Sequence, residues 1–184
     1  PSAQNRMRED DERRFVGLAR LYGVDGAAHI RAAHVLVIGI GGVGSWAAEC
    51  LARSGVCCIT LVDMDHVAES NINRQIHATD TPIGMAKIEA MRLRIASYAP
   101  NCRVLGLDDF VTPENWAGIF AQASALQTVD AVIDCCDQVK VKTALATWAR
   151  QKAVKRSCAF ITVGAAGGKR RADLLEIADL QAVT

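Results

Sequence analysis

Residues 34–44 read HVLVIGIGGVG, a short β-branched run that stops in a cluster of glycines. His34–Gly39 has the composition of a buried strand. Ser45–Ser54, closed by Gly55, has helical spacing. Between them, Gly39, Gly41 and Gly44 form G-x-G-x-x-G, with Gly42 at one of the free positions. Placed between a strand and a helix, these glycines let the backbone turn sharply and approach a phosphate closely. The first amides of the helix then face the anion. The competing reading is tight helix–sheet packing without a ligand. Downstream, CCITLVD (Cys57–Asp63) is a second strand ending in an acid, 19 residues after Gly44. A doubly wound nucleotide-binding sheet puts a ribose-holding carboxylate there, so Asp63 is the candidate.

Beyond these two strands the alternation continues. Met85–Tyr98 is a helix, Arg103–Leu107 a strand, and Thr112–Ala123 a helix with Pro113 at its first position. Ala131–Asp134 is a fourth strand, Val139–Lys152 a helix, and Ala159–Val163 a fifth strand running into the glycine-rich 164–168. Leu174–Val183 is expected to begin a further element. Residues 15–31 give a helix, a turn at Gly23 and Gly26, and a short second helix. The expected architecture is α/β and Rossmann-like: a doubly wound, mostly parallel sheet with helices on both faces. One domain is expected over 15–184, preceded by a mobile charged leader over 1–14.

The composition of the 184 residues agrees. Hydrophobic residues make up 51% and charged residues 22%, a globular balance, and the net charge of +1 supplies no global field toward nucleic acid or membrane. Aromatics are only 5%, so the core must be aliphatic. The longest uncharged run, 32–48, holds four glycines and is too short to span a bilayer, so no membrane insertion is expected. The seven cysteines include two adjacent pairs and no C-x-x-C. A disulfide framework or four-thiolate zinc site is not expected, and most read as small buried hydrophobes. A reducing, cytosol-like compartment fits, with mitochondrial association left open.

Up to this point a nicotinamide dehydrogenase and an ATP user are equal readings. The segment SNINRQ (Ser70–Gln75) and Lys87 at the start of the next helix separate them. Arg74 and Lys87 put two cations near the glycine turn, more than a dinucleotide pyrophosphate needs and suited to a triphosphate that loses pyrophosphate. DCCD (Asp134–Asp137) follows the fourth strand on the ligand side of the sheet. Asp137 there suits a hydrated magnesium ion, or caps the following helix.

GIGGVG, DMD (Asp63–Asp65), SNINRQ, GMAK (Gly84–Lys87) and DCCD in this order resemble the ThiF/MoeB superfamily, the ubiquitin-activating-enzyme-like adenylyltransferases. RFVGLARLYG (Arg14–Gly23), GGVGSWAAE (Gly41–Glu49), NRQIHA (Asn73–Ala78), DDFVTPEN (Asp108–Asn115) and VGAAGG (Val163–Gly168) resemble its branch of dehydratases acting on threonylcarbamoyladenosine in tRNA. The resemblance implies that Gly42 packs on the nucleotide and Asp63 holds its ribose. It implies that Asn71, Arg74 and Lys87 contact the phosphates of ATP and that Asp137 binds Mg2+. Arg20 matches an arginine that reaches into a partner's site in dimeric relatives, which implies a homodimer.

The implied reaction is adenylation of the threonylcarbamoyl carboxylate on modified tRNA, followed by intramolecular cyclisation with release of AMP. Alternatives are an adenylyltransferase that activates the C-terminus of a ubiquitin-like or sulfur-carrier protein, and an inactive scaffold subunit that keeps the nucleotide fold. Cys57, Cys58, Cys135 and Cys136 are expected to be core or supporting residues rather than acyl acceptors. Members of the superfamily continue beyond the fifth strand, so a domain truncated at its C-terminus is expected. Basic groups at Arg13, Arg14 and Arg20, at Lys152, Lys155 and Arg156, and at Lys169, Arg170 and Arg171 are candidates for phosphate-backbone contact. A solvated basic surface is the equal alternative.

Overall fold

The computed structural model describes residues 3–153, 158–164, 167, 170–180 and 182, with side chains from residue 13 onward except at 152 and 153. The elements follow the expected alternation. They are α1 (Ala3–Ala32), β1 (His34–Ile38), α2 (Gly44–Arg53), β2 (Cys58–Val62), α3 (Lys87–Tyr98) and β3 (Arg103–Leu107). Then come α4 (Trp116–Leu126), β4 (Ala131–Asp134), α5 (Val139–Ala153) and β5 (Ala159–Thr162).

The strands form one parallel sheet in the order β3-β2-β1-β4-β5. The chain moves outward from β1 through β2 to β3, then returns to the other side of β1. That reversal leaves a crevice beyond the carboxyl ends of β1 and β4, where ligands of such sheets bind. Both Gly39 and Cys135 leave the sheet there, and the Cys135 amide still donates to the Ile38 carbonyl at 2.8 Å.

Every residue of β1 and β2 is buried, as expected for strands covered on both faces. Val35, Val37, Ile59 and Leu61 pack with α2 and α3 through Ala48, Ala52, Met91 and Ile95. Leu36, Ile38, Val62 and Val132 pack with α4 and α5 through Ile119, Ala123, Val141 and Leu145. Period-two alternation along each strand therefore sorts the aliphatic residues onto two helix layers. Three aromatics cluster on the second face: Trp148 lies 5.0 Å from Trp116 and 4.9 Å from Phe120, centroid to centroid. The buried polar His34 is satisfied, with Nδ1 2.8 Å from the Gln127 carbonyl and Nε2 2.8 Å from Thr60 Oγ1.

Four sequence expectations change in detail. Residues 3–14 are wound into α1, so the stretch read as a charged leader has helical backbone; its Arg, Gln, Met and Glu are good helix formers. The expected turn is a kink at Gly23 (φ 74°, ψ 170°), a left-handed φ that favours glycine. The regular part of α4 starts at Trp116, one turn after Thr112; Thr112 and Asn115 exchange capping bonds over that first turn, and the Trp116 amide already donates to the Thr112 carbonyl at 3.1 Å. The Asn115 amide donates to Thr112 Oγ1 at 3.2 Å and the Thr112 amide to Asn115 Oδ1 at 2.7 Å. Beyond β5, only a 3-10 turn over Ala172–Leu174 is regular among the described residues, and Leu174, Leu175 and Ile177 are exposed. A helix needs an apolar face to cover, and this stretch covers nothing among the described residues.

Among the described residues, no helix is long and apolar enough to cross a membrane. Of the basic groups singled out above, the side chain of Lys152 and all of Lys155, Arg156 and Lys169 lie outside the described residues. So does most of the glycine-rich 164–168. Arg171 is ion-paired with Asp173.

Candidate functional site

The glycine turn is held by the end of β2. The Gly39 amide donates to the Val62 carbonyl at 2.9 Å, and the Ile40 amide donates to Asp63 Oδ2 at 2.6 Å. Asp63 Oδ1 accepts from the Asp65 amide at 2.8 Å. Asp63 is thus a brace between the turn and the segment after β2. Each oxygen keeps acceptor capacity, so a ribose hydroxyl remains within its chemistry.

Each glycine has a different reason. Gly39 has φ +81°, and a Cβ there would sit 3.1 Å from the Cys136 amide nitrogen, so the DCCD loop lies directly against the turn. At Gly44 a Cβ would fall 1.7 Å from the Gly39 carbonyl oxygen. At Gly42 it would meet Arg74 Cγ at 3.3 Å and Cδ at 3.4 Å. At Gly41 it would meet nothing within 4 Å, leaving that backbone open to an approaching group.

Arg74 therefore lies across the turn, as the sequence suggested. Its Nη1 donates to the Ser70 carbonyl at 2.8 Å and to Asn73 Oδ1 at 3.0 Å, while Trp46 Nε1 donates to the Arg74 carbonyl at 2.9 Å. Trp46, on α2, thereby fixes the Arg74 backbone. Asn71 is buried and serves the local turn, its Oδ1 accepting from the Ala68 amide at 3.0 Å. Lys87 is 6% exposed at the start of α3, with Nζ 2.8 Å from Asp65 Oδ2. Asp65 is more than half exposed, so this ammonium is desolvated on its own side and neutralised on the solvent side. A buried lysine beside a solvated carboxylate can exchange that partner for a phosphate without being left unpaired.

The DCCD loop divides its two acids between two tasks. Asp134 is fully buried: Oδ1 accepts from the Cys136 amide at 3.1 Å, and Oδ2 meets Thr162 Oγ1 at 2.7 Å and Lys142 Nζ at 2.9 Å. Both oxygens are engaged, so Asp134 holds the loop against α5 and β5. Asp137 is exposed. No group of three or more His, Cys, Asp or Glu among the described residues could hold a metal ion. Magnesium does not need one, since one or two carboxylates, phosphate oxygens and water complete its shell. An exposed single carboxylate at 137 fits that donor set and the engaged Asp134 does not.

The cysteines differ from the sequence reading. Only Cys58 is buried, Cys50 is exposed, the other five are intermediate, and none is in a disulfide. Burial, then the neighbouring Asp134 charge, pushes the Cys135 thiol up to about 12. Burial, then a hydrogen bond with Asp134, pushes Cys136 up to about 11. At neutral pH both stay protonated, which is poor preparation for a thiolate nucleophile. Arg20 lies exposed on α1.

Sequence reasoning passed over His77. It is 3% exposed, and neither ring nitrogen has a hydrogen-bond partner in the structure. Burial, then the charges of Lys87 and Arg94, lower its pKa from 6.5 to about 4. On α2, burial works to raise the Glu49 carboxyl, but hydrogen bonds from Arg94, Arg53 and Tyr98 outweigh it and hold Glu49 below its ordinary value. The unfolded His77 takes up a proton near pH 6.5 and the folded one only near 4, so stability is complete above 6.5 and falls as pH drops toward 4. At 1.36 kcal/mol per unit that is about 3 kcal/mol. The depressed Glu49 carboxyl adds loss below its unfolded value of 4.5. Denaturant midpoints between pH 7 and 4 are expected to fall across this window, and more shallowly in His77→Gln.

A family model described as the ThiF family matches residues 13–172. The chain is 45% identical over 167 residues to the tRNA threonylcarbamoyladenosine dehydratase of Escherichia coli, covering 91% of this chain and 59% of that protein. It is 38% identical over 158 residues to the Bacillus subtilis protein of the same name, covering 86% and 59%. The crystal structure of the E. coli dehydratase in complex with ATP superposes with TM-score 0.83 at 44% identity, covering 94% of this chain and 67% of that one. The chain spans about three fifths of the length of the curated relatives it matches.

Proposed function

Since the chain belongs to the ThiF family, we propose that it carries the nucleotide half of an ATP-dependent dehydratase acting on threonylcarbamoyladenosine in tRNA. The observation that carries this reading is the position of Arg74 across Gly42, on a turn that the Asp63 brace holds rigid. Relatives bearing the dehydratase name supply the substrate class.

The chemistry follows from the residues in place. The open backbone at Gly41 and the amino end of α2 receive phosphate oxygens, and Asp63 takes the ribose hydroxyls. Arg74 and Lys87 hold the phosphates and neutralise charge that grows on the leaving pyrophosphate as a substrate carboxylate attacks the α-phosphorus. Asn71 supports that phosphate-facing segment from beneath. Asp137 would hold magnesium, which when bound supplies further charge neutralisation at the phosphates. In the mixed anhydride so formed, the carbamoyl group beside the activated carbonyl closes the ring and AMP departs. Proximity drives that step, so no enzyme thiol is required, in keeping with the protonated Cys135 and Cys136. Arg20 is proposed to serve a partner copy in a homodimer, and the reaction to take place where tRNA is modified, in a reducing compartment.

Incubating the protein with ATP, magnesium and tRNA carrying threonylcarbamoyladenosine tests the proposal. AMP release that depends on the modified tRNA is the expected result. AMP release that depends only on a ubiquitin-like carrier protein would replace it with the carrier-activating reaction. Absence of any ATP binding would leave a scaffold. Asp137→Ala is expected to lower adenylation by about 100-fold with an unchanged melting temperature, since its side chain is exposed; pyrophosphate exchange and a thermal melt check both halves.

A further inference from the structure

The amino ends of the strands, opposite the glycine turn, carry a second feature that the proposed reaction does not use. A cavity of about 360 Å³ lies under α1, between Phe15, Ala28, Val56 and Gly55, and both Cys57 and Cys102 line it. Cys58 pairs with Arg103 as the first rung of the β2–β3 ladder, so Cys57 and Cys102, the residues just before the two strands, are neighbours across it. The Arg103 amide donates to the Cys57 carbonyl at 2.8 Å, which fixes that alignment.

Neighbouring strands run about 4.8 Å apart, inside the span of roughly 4.4–6.8 Å between Cα atoms that a disulfide bridges. Both residues precede the first ladder pair, so their backbones can shift the few tenths of an ångström that closure needs. Side chains at equal register in parallel strands share a face. Cys102 packs against the α2–α3 layer. Cys57, two residues before Ile59, falls on that face by alternation, and its Sγ now lies 4.0 Å from the Ala33 carbonyl on the β1 side, so the bridge requires rotation of the Cys57 side chain toward β3. Cys58 points to the other face and is fully buried.

We infer that Cys57 and Cys102 form an oxidisable dithiol, a modification site that a hydroperoxide reaching the cavity converts to a disulfide joining β2 to β3. The Cys57 sulfur attacks the terminal peroxide oxygen; an S–O bond forms, the O–O bond breaks, and the leaving hydroxide or alkoxide takes the thiol proton to give water or an alcohol. The Cys102 sulfur then attacks the sulfenic sulfur of Cys57. The S–S bond forms, the S–O bond breaks, and the second thiol proton leaves as water. The two thiols are oxidised by two electrons and one peroxide is reduced. Burial, and then the neighbouring Cys57 and Cys58, push the Cys102 thiol up to about 12, so Cys57 is the attacking partner and Cys102 the resolving one.

The test uses the whole chain, folded, treated with one equivalent of hydrogen peroxide, alkylated and digested with trypsin without reductant. The expected product joins peptide 54–74 to peptide 95–103, with fragmentation assigning the link to Cys57. It persists in Cys58→Ser and disappears in Cys57→Ser. In Cys102→Ser a sulfenic acid remains on Cys57 and is trapped by dimedone. Mapping on the unaltered chain needs no variant to fold. A link through Cys58, or Cys57 passing to sulfinic acid with Cys102 still alkylated, would overturn the inference.

Discussion

Replacing Lys87 by alanine is expected to lower ATP–pyrophosphate exchange by about 10²–10³-fold, the scale of losing one preorganised charge at a phosphate. The fold should lose little. Asp65, the partner left behind, is more than half exposed and becomes solvated, so the stability change is expected below about 1 kcal/mol. A chemical denaturation curve and an exchange assay on the same sample separate the two effects. Exchange near the unaltered level, with the fold intact, would remove Lys87 from the phosphate site. Lys87→Arg is expected to recover little, because the buried pocket is shaped around a compact ammonium.

The second large effect belongs to Gly44→Ala. The new methyl would fall 1.7 Å from the Gly39 carbonyl oxygen, a separation no real contact adopts. The turn must open, and the Asp63–Ile40 bond that braces it is strained or broken. Nucleotide binding is expected to disappear, and stability to fall by about 1–3 kcal/mol. Gly41→Ala is the control, since a Cβ there meets nothing within 4 Å. It should fold normally and weaken nucleotide binding only through the bulk it adds at the open backbone. Calorimetry with ATP and a thermal melt read both variants.

The architecture was largely legible because buried parallel strands announce themselves. HVLVI and CITLV are continuous apolar runs, and the glycines and the acid at their ends mark where the chain leaves the sheet. The direction of each connection then follows from the handedness of βαβ units. Regular α4 begins four residues after Thr112 because Thr112 and Pro113 mark only the capped first turn, which the Thr112–Asn115 bonds close and which is not yet regular helix. The fate of residues 174–180 was not legible, since an apolar pattern does not say whether a surface exists to receive it.

The site was legible in part. The Arg74–Gly42 approach was implicit in a residue pattern that puts a cation near a turn. The division of labour between Asp134 and Asp137 was not, because it depends on Lys142 and Thr162, 8 and 28 residues further along. The role of Asp65 was hidden for the same reason: its partner Lys87 is 22 residues away. His77 gave no sequence signal beyond its presence in NRQIHA; its depressed pKa arises from burial and from charges on α3.

Calorimetric titration of the protein with ATP and with NAD, each in the presence of magnesium, and repeated for Lys87→Ala, tests most directly whether the crevice beyond β1 and β4 is a triphosphate site. Saturable ATP binding, no comparable NAD binding, and an ATP affinity at least tenfold weaker in Lys87→Ala are expected. Preferential binding of NAD, or ATP affinity unchanged by loss of the Lys87 ammonium, would rule out a triphosphate site there.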